Sequence, residues 1–267
     1  MTPILAFDIE TVPDIAGIRR LHELPAALSD LEVAEVAFQK RRAQNGSDFL
    51  ALHLHRVVVI SCVLRDADGL KIFSIGEPER DERAAIQKFH DGIEKYTPQL
   101  VSWNGGGFDL PVLNYRALIA GASAPRFWEQ GEEDRDFRYN NYVSRYHGRH
   151  LDLMDVLAMY QPRNNAPLDE VAQLAGLPGK TGIGGAGVWP AYQAGKMAEI
   201  RNYCEADALN TYLLYLRFQY QRGAHGAEHH AREVQLVRAS VERGAKDAAT
   251  PHWREFLERW HEPPPSA

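Results

Sequence analysis

The chain has 267 residues, of which 45% are hydrophobic and 25% charged, and its formal net charge is −6. This composition is that of a globular protein with a sizeable core and excludes a largely disordered chain. The acidic balance provides no overall basic field for nucleic acid, although an enzyme that acts on one strand end needs only a local one.

The cellular compartment is predicted from cysteine usage and from the absence of signal-peptide and membrane-span patterns. Its two cysteines, Cys62 and Cys204, are too few for a disulfide framework or a four-cysteine zinc site, and they suit a reducing cytosol. The N-terminus lacks the pattern of a signal peptide. No apolar run approaches the ~18 residues of a membrane span. We therefore expect a cytoplasmic protein without a membrane segment.

The first predicted element is a short apolar strand over residues 4–11 that ends in two carboxylates. Asp8 and Glu10 are two residues apart, so they lie on the same face of the strand. Two adjacent like charges are costly in an apolar setting, and a divalent cation commonly offsets that cost. An isolated Asp-x-Glu motif is more often a solvated strand end. The hypothesis of a metal site therefore needs further carboxylates that meet these two.

A helical insert is predicted next, over residues 12–54, with Pro13 breaking the first strand. Helical patterning covers residues 14–21 and 29–42. Ser29 and Glu32 have the spacing of a capping box.

After the insert, strands are predicted at 56–64 and 70–75, joined by a hairpin turn at Asp68-Gly69. A helix over 81–96, a strand over 100–103 and a helix over 110–120 follow. Strands that alternate with helices in this order predict an α/β fold, with a mixed sheet flanked by helices.

The second half is predicted to be mainly helical. A polar, irregular segment at 127–149 precedes an apolar-periodic one at 150–160. The later elements are a short helix at 167–177, a glycine-rich loop at 179–187, helices at 197–221, 227–243 and 253–260, and a disordered tail at 263–267.

A second motif joins a predicted strand to a predicted helix through Asn104-Gly105-Gly106-Gly107-Phe108-Asp109. Three glycines allow a tight turn and close approach of a ligand. An N-cap role would account for Asp109 by itself, but not for the glycine run beside it. Ligands of open α/β sheets gather where strands end and helices begin.

A third motif lies inside the long predicted helix at 197–221. Tyr203 and Asp207 are four residues apart and share one helical face. A tyrosine at such a position is more often part of the core, so this pair alone is weak evidence for a site.

Together the three motifs resemble the DnaQ-like 3′→5′ exonuclease superfamily, in its Asp-Glu-Asp-Asp-Tyr branch. Within that branch the sequence is similar to the stand-alone group related to the exonuclease domain of family B DNA polymerases. The resemblance spans residues 3–220 and implies a ribonuclease-H-like fold. We expect an exonuclease domain at 1–222, including the insert, and a helical C-terminal extension at 223–262.

The resemblance implies hydrolysis from the 3′ end of single-stranded or frayed DNA, with release of nucleoside 5′-monophosphates. It also implies two Mg²⁺ or Mn²⁺ ions, about 3.5–4 Å apart, held by Asp8, Glu10, Asp109 and Asp207. Tyr203 would orient the attacking water, because a free tyrosine with a pKa of about 10 is a poor base at neutral pH.

Candidate substrate contacts are Thr11, Trp103, Asn104, Phe108 and Lys180. Phe108 or Trp103 would stack on the terminal base, although Trp103 is better explained as a core residue. The loop at Lys180 either contacts a phosphate or is a plain connector.

Two alternative functions stay open. An RNA-trimming enzyme would use the same carboxylates, which do not distinguish the sugar. A non-catalytic nucleic-acid-binding module would keep the fold and use the groove only to bind nucleic acid, without cleaving it. DNA replication or repair proteins are possible partners in trans.

Several weaker signals are set aside. The run Gly182–Gly187 has dinucleotide-loop spacing but no preceding strand. The segment 135–149 mixes arginine and tyrosine in the manner of single-strand binders, but its acids favour a solvated loop. Asp152 and Asp155 are interpreted as a helix cap and a surface charge rather than as carboxylates that support the metal ligands.

Overall fold

A five-stranded mixed sheet forms the centre of the molecule. Its strands are β1 (Ile4–Pro13), β2 (His55–Asp66), β3 (Gly69–Ser74), β4 (Gln99–Ser102) and β5 (His150–Asp152). Their spatial order is β3-β2-β1-β4-β5. The first three sequential strands pair antiparallel, whereas β4 and β5 run parallel to β1. The computed structural model describes residues 2–261, so the tail predicted at 263–267 lies outside the described residues.

Helices cover both faces of this sheet. They are α1 (Ile15–Leu21), α2 (Asp30–Asn45), α3 (Glu82–Tyr96), α4 (Asp109–Ala120), α5 (Pro125–Trp128), α6 (Leu153–Leu157), α7 (Leu168–Leu174), α8 (Val188–Gln193), α9 (Met197–Gln221), α10 (Ala227–Gly244) and α11 (His252–Arg259). Alternate residues of β1 enter different cores: Ala6 packs in the cluster built on α9, and Phe7 packs in the cluster built on α3 and α4. The predicted α/β architecture is therefore confirmed.

The first strand is longer than predicted. It does not end at the carboxylates, and Pro13 is its last residue rather than its break. The pairing with β2 shifts between Glu10 and Thr11, whose partners are Val59 and Val57, so one residue of β2 is extra at this bulge. On its other side β1 pairs with β4 only over residues 4–6. Beyond Ala6 that edge of β1 is open to other groups.

Two further predictions needed correction. The hairpin between β2 and β3 exists, but Asp66 pairs with Gly69, so its two-residue loop is Ala67-Asp68 rather than Asp68-Gly69. The apolar-periodic segment at 150–160 contains the short strand β5 followed by α6. A three-residue strand is too short to show the alternation that identifies strands in a sequence.

The insert forms a small core of its own on β1. Ile18 of α1 packs with Val33 and Ala37 of α2. The capping box predicted at the start of α2 is present, with both Ser29 and Glu32 accepting from the other's backbone amide. These local signals explain why the helices of the insert agree closely with their prediction.

The C-terminal helices share the core of the sheet. Val237 of α10 and Phe256 of α11 are fully buried in the same cluster as α9. The boundary predicted between residues 222 and 223 stays a prediction. Within residues 2–261, no helix combines the length and apolarity that crossing a membrane would require.

Candidate active site

The two carboxylates of β1 face helix α9. The Cys204 thiol lies 3.3 Å from both the backbone oxygen and the Oδ2 of Asp8, to which it donates. Glu10 is buried and Asp8 is half-buried. Within the described chain, the candidate ligand atoms of Asp8, Glu10 and Cys204 all lie within 4.8 Å of one another. Side chains from the two ends of the sequence therefore meet here.

Asp109 reaches the same place from the start of α4. Its Oδ1 accepts from the amide of Ile9 at 3.1 Å, between the two carboxylates of β1. It is not the N-cap of its helix, because that position belongs to Phe108, whose side chain makes no capping hydrogen bond. The carboxylate, 4% exposed, is instead turned toward the first strand.

The glycine turn before α4 is tightly fitted. A Cβ on Gly105 would come within 2.2 Å of the Ser102 hydroxyl, and one on Gly107 within 2.5 Å of the Asn104 side-chain oxygen. Asn104 itself adopts the left-handed conformation, with φ of 67°. Small residues are therefore required for the chain to turn from β4 into the helix that carries Asp109.

Asp152 holds this turn from the neighbouring strand, which corrects its interpretation as a cap alone. Its two carboxylate oxygens accept from the amides of Asn104 at 2.9 Å and Gly106 at 2.8 Å. It also accepts from the amide of Asp155 at the start of α6. Asp155, predicted to be a surface charge, is half-buried and pairs with Arg145 at 2.5 Å. Asp152 thus supports Asp109 indirectly through the backbone of the turn.

Helix α9 contributes Tyr203 and Asp207, which are 4% and 6% exposed. Tyr203 lies one turn before Asp207 on the same face of α9, and its side chain lowers the pKa of the Asp207 carboxyl group. One carboxylate oxygen of Asp207, Oδ1, is buried and has no hydrogen-bond partner among the described residues. A buried carboxylate oxygen without a donor is costly unless a ligand satisfies it.

Burial raises the pKa of every carboxyl group in this cluster, and the charges of neighbouring carboxylates raise the pKa values of Asp8 and Glu10 further. Burial is the largest cause for Asp8, followed by the charges of Asp109, Glu10 and Asp207. Burial also raises the pKa of Glu10, whereas the positive charge of Lys180 lowers it. Burial raises the pKa of Asp109 to about 7 and that of Asp207 to about 6. Asp109 and Asp207 are therefore near enough for their charges to destabilise the anionic forms of Asp8 and Glu10.

These residues fit hard divalent cations. Mg²⁺ and Mn²⁺ prefer carboxylate oxygens, and the cluster offers four carboxylates, one with an unsatisfied buried oxygen. The nearby thiol of Cys204 donates to Asp8, and burial raises its pKa well above the usual value. In this protonated form it is a hydrogen-bond donor to Asp8 rather than an anionic ligand.

The predicted substrate contacts differ in their surroundings. Thr11 Oγ1 lies 2.8 Å from Nδ1 of His55, whose ring makes an edge contact with Phe108 at 5.2 Å between centroids. Trp103 is half-buried against the core of α9, and its Nε1 donates to the backbone oxygen of Ala166 at 3.0 Å. Trp103 therefore has the packing of a core residue.

Lys180 approaches the cluster from the glycine-rich loop. Its Nζ lies 5.9 Å from the centroid of the Tyr203 ring. Its amide donates to Asp169 Oδ1 at 2.6 Å, and its backbone oxygen accepts from Arg259 at 3.0 Å. The loop is thus tied to α7 and α11 at the residue that faces the carboxylates.

Three polar residues were not assigned to the site from the sequence: His55, Asp152 and Cys204. Each acts through a contact that is distant in sequence, so no local spacing identifies it. Only Asp152 gave a local signal, as a helix cap, and that signal accounts for one of its three hydrogen bonds with backbone amides.

The mixed α/β sheet, with acidic residues gathered beside its first strand, defines a fold of the ribonuclease-H-like class. The chain belongs to the family described as predicted 3′-5′ exonucleases related to the exonuclease domain of PolB, whose model matches residues 47–260. The predicted family and fold are therefore confirmed, and the family supports a nuclease with a nucleic-acid substrate. The matched range includes Asp109, Tyr203 and Asp207, whereas Asp8 and Glu10 precede it. No curated protein matches the chain.

Proposed function

We propose that this protein is a metal-dependent 3′→5′ exonuclease that releases nucleoside 5′-monophosphates from single-stranded or frayed DNA ends. The observation that carries the proposal is the hydrogen bond from Ile9 to Asp109 within a buried acidic cluster that also includes Asp207. Structural carboxylates are seldom buried together without cations, because their mutual repulsion adds to the desolvation cost. Family membership supports the direction of cleavage.

In this proposal Asp8, Glu10, Asp109 and Asp207 hold two Mg²⁺ or Mn²⁺ ions. When bound, divalent cations activate water and stabilise charge on the attacking and leaving oxygens of a phosphodiester. Asp207 would use its unpartnered Oδ1 for this purpose. The amide of Ile9 fixes the Asp109 carboxylate.

Tyr203 is assigned a positioning role. Burial, followed by the charges of Asp207, Glu10 and Asp8, raises its pKa far above the usual value of a phenol. It therefore stays protonated at neutral pH and donates a hydrogen bond instead of removing a proton. Its hydroxyl would hold Asp207 and align the attacking water.

Lys180 is the proposed phosphate contact. Its position beside Tyr203 supports this assignment, because a single ammonium group can meet a phosphate oxygen without closing the site. Phe108, Thr11 and Asn104 are proposed to surround the terminal nucleotide. Action in the cytoplasm is part of the proposal, supported by two cysteines that are both free.

The test is release of mononucleotides from a 3′-labelled single strand in Mg²⁺ or Mn²⁺. We expect release by the wild type and none by Asp8→Ala, while Glu94→Gln, an exposed carboxylate change on α3, is as active as the wild type. Equal release by Asp8→Ala would remove the assignment. Deoxyribo- and ribo-oligonucleotides are compared in the same assay to decide between DNA and RNA.

Calorimetric titration with Mn²⁺ separates a nuclease from a non-catalytic binding module. We expect uptake of two ions by the wild type and a reduced number by Asp207→Asn. A protein that binds oligonucleotides but takes up no ions would contradict the catalytic proposal. Pull-down with DNA replication or repair proteins addresses the partners in trans only after activity is established.

A further inference from the structure

A groove of about 980 Å³ separates the insert from the helix that precedes α9. Val12 and Pro13 of β1 lie at its base, Arg20 of α1 lines one side, and Trp189 and Tyr192 of α8 line the other. Its volume is at the upper end of the range of about 300–1,000 Å³ found for small-molecule sites. It is therefore large enough for an extended ligand.

The groove begins beside the acidic cluster. Val12 follows Glu10 by two residues, which is about 7 Å along a strand. Val12 also packs in one buried cluster with Tyr203 and with Val188 and Ala191 of α8. The inner face of α8 therefore shares a core with the site tyrosine, while Trp189 and Tyr192 of the same helix line the groove.

Two aromatic side chains and one guanidinium group line the wall formed by α8 and β2. The rings of Trp189 and Tyr192 are stacked, with centroids 5.9 Å apart and planes 18° apart. Arg56 donates to the Tyr192 hydroxyl at 3.3 Å and to the backbone oxygen of Glu79 at 2.8 Å. Both of these partners are neutral, so the charge of Arg56 is available to a ligand.

The lining itself carries one net positive charge, with four arginines (Arg19, Arg20, Arg56 and Arg116) against three acids (Asp14, Glu23 and Asp30). Asp14 pairs with Arg116 at 2.6 Å, a guanidinium that also pairs with Glu82 outside the lining, and Asp30 pairs with Arg19 at 3.6 Å. The exposed Arg20 and the half-buried Arg56 are therefore the arginines of the lining that a phosphate would meet. This local balance is positive although the whole chain carries −6.

We propose that this groove binds the single strand on the 5′ side of the scissile phosphodiester. Bases would stack on Trp189, and phosphates would lie near Arg20 and Arg56, the combination by which proteins hold single strands without reading their sequence. The inference rests on the proposed exonuclease function. It assigns the insert a role as one wall of the strand-binding path.

The test compares two substrates in the full chain. One is a single-stranded oligodeoxynucleotide of about twelve nucleotides, within the usual site sizes of single-strand binders. The other is the p-nitrophenyl ester of thymidine 5′-monophosphate, which reaches only the acidic cluster. Variants are Trp189→Ala and Arg20→Glu, with matched controls Trp128→Ala and Arg232→Glu at exposed positions on α5 and α10.

We expect Trp189→Ala to raise the KM for the oligonucleotide by about 5- to 150-fold, the range of one lost base–aromatic stack. Arg20→Glu, at an exposed position of α1, should reduce the slope of log KM against log salt by about 0.7 for one lost phosphate contact. The KM for the ester should rise much less in both variants, and the controls should match the wild type.

Two outcomes overturn the inference while the exonuclease proposal stands. In one, the wild type degrades the oligonucleotide and neither variant differs from its control. In the other, both substrates are affected equally, which would mean that the groove only supports the fold of the site. A wild type that hydrolyses neither substrate removes the exonuclease proposal, and this inference with it.

Discussion

The amide of Ile9 donates to Oδ1 of Asp109 at 3.1 Å across 100 residues of sequence. This amide is available because β1 pairs with β4 only as far as Ala6. The strand edge that β4 leaves open thus supplies the donor that fixes the third carboxylate between Asp8 and Glu10. The early end of one strand pairing is what allows the start of α4 to reach the site.

Asp109→Asn is expected to separate the charge of this group from its hydrogen bond. The amide oxygen of asparagine still accepts from Ile9, but the metal-ligand charge is lost, so activity should fall by about 10²-fold or more. The metal-free variant should have a higher melting temperature than the wild type at neutral pH, because one buried like charge is removed. Scanning fluorimetry in EDTA and the exonuclease assay measure the two effects.

Asp109→Ala is the matched comparison. It removes the same charge but leaves the Ile9 amide without its acceptor, which costs about 1–3 kcal/mol for a buried donor. Its melting temperature should therefore lie below that of Asp109→Asn. Equal melting temperatures for the two variants would show that the hydrogen bond contributes nothing to the fold.

The raised pKa values predict how the stability of the metal-free protein depends on pH. Burial raises the pKa of Asp109 from 3.8 to about 7 and that of Asp207 to about 6. Between the ordinary pKa of an aspartate and these raised values, the folded state binds more protons than the unfolded state. The free energy of unfolding therefore falls as pH rises from about 4 to about 7. Thermal unfolding in EDTA across this range measures the fall.

Mn²⁺ should reverse that trend, because ion binding requires the ionised carboxylates and grows stronger as pH rises. The Asp109→Asn variant in EDTA should show a shallower fall than the wild type, which isolates the contribution of this group from the other titrating residues. A stability that rises through the same pH range in EDTA would contradict the assignment of raised pKa values.

Local patterns predicted a large part of the fold. Helix α9 has the predicted bounds, Met197–Gln221, because its length and composition give a strong local signal. The cap at Ser29 and Glu32 was readable for the same reason. By contrast, the bulge at Glu10 and Thr11 depends on the pairing of β1 with β2, and no feature of either strand by itself specifies it.

The candidate site also has a part that the sequence predicts and a part that it does not. The order of the motifs predicts its acidic residues, but not the hydrogen bonds that those residues make. Cys204 contacts Asp8 across 196 residues, and His55 contacts Thr11 across 44. Such contacts are set by how α9 and β2 pack on β1. A sequence pattern limited to neighbouring residues therefore identifies the acidic residues but leaves out the groups that contact them.

Tyr203→Phe should lower kcat by about 10²-fold, a loss typical of a positioned catalytic group, with little change in KM. The phenol is protonated throughout the assay range, since burial and nearby anions raise its pKa. The pH–rate profile should therefore keep both of its limbs in the variant. Loss of the limb that requires a deprotonated base would instead identify Tyr203 as that base.

Arg116→Ala is expected to be the most destabilising single change between the insert and the sheet. Arg116 is buried and donates to Asp14, the N-cap of α1, and to Glu82 of α3, each at 2.6 Å. Removing it leaves two carboxylates without their cation, at a cost of about 3–5 kcal/mol. Urea unfolding should show a lower midpoint with an unchanged slope.

Arg42→Ala, which also removes a guanidinium shared by two carboxylates but at an exposed position, should leave the midpoint unchanged. Equal midpoints for the two variants would mean that the insert is held to the sheet by its apolar contacts alone.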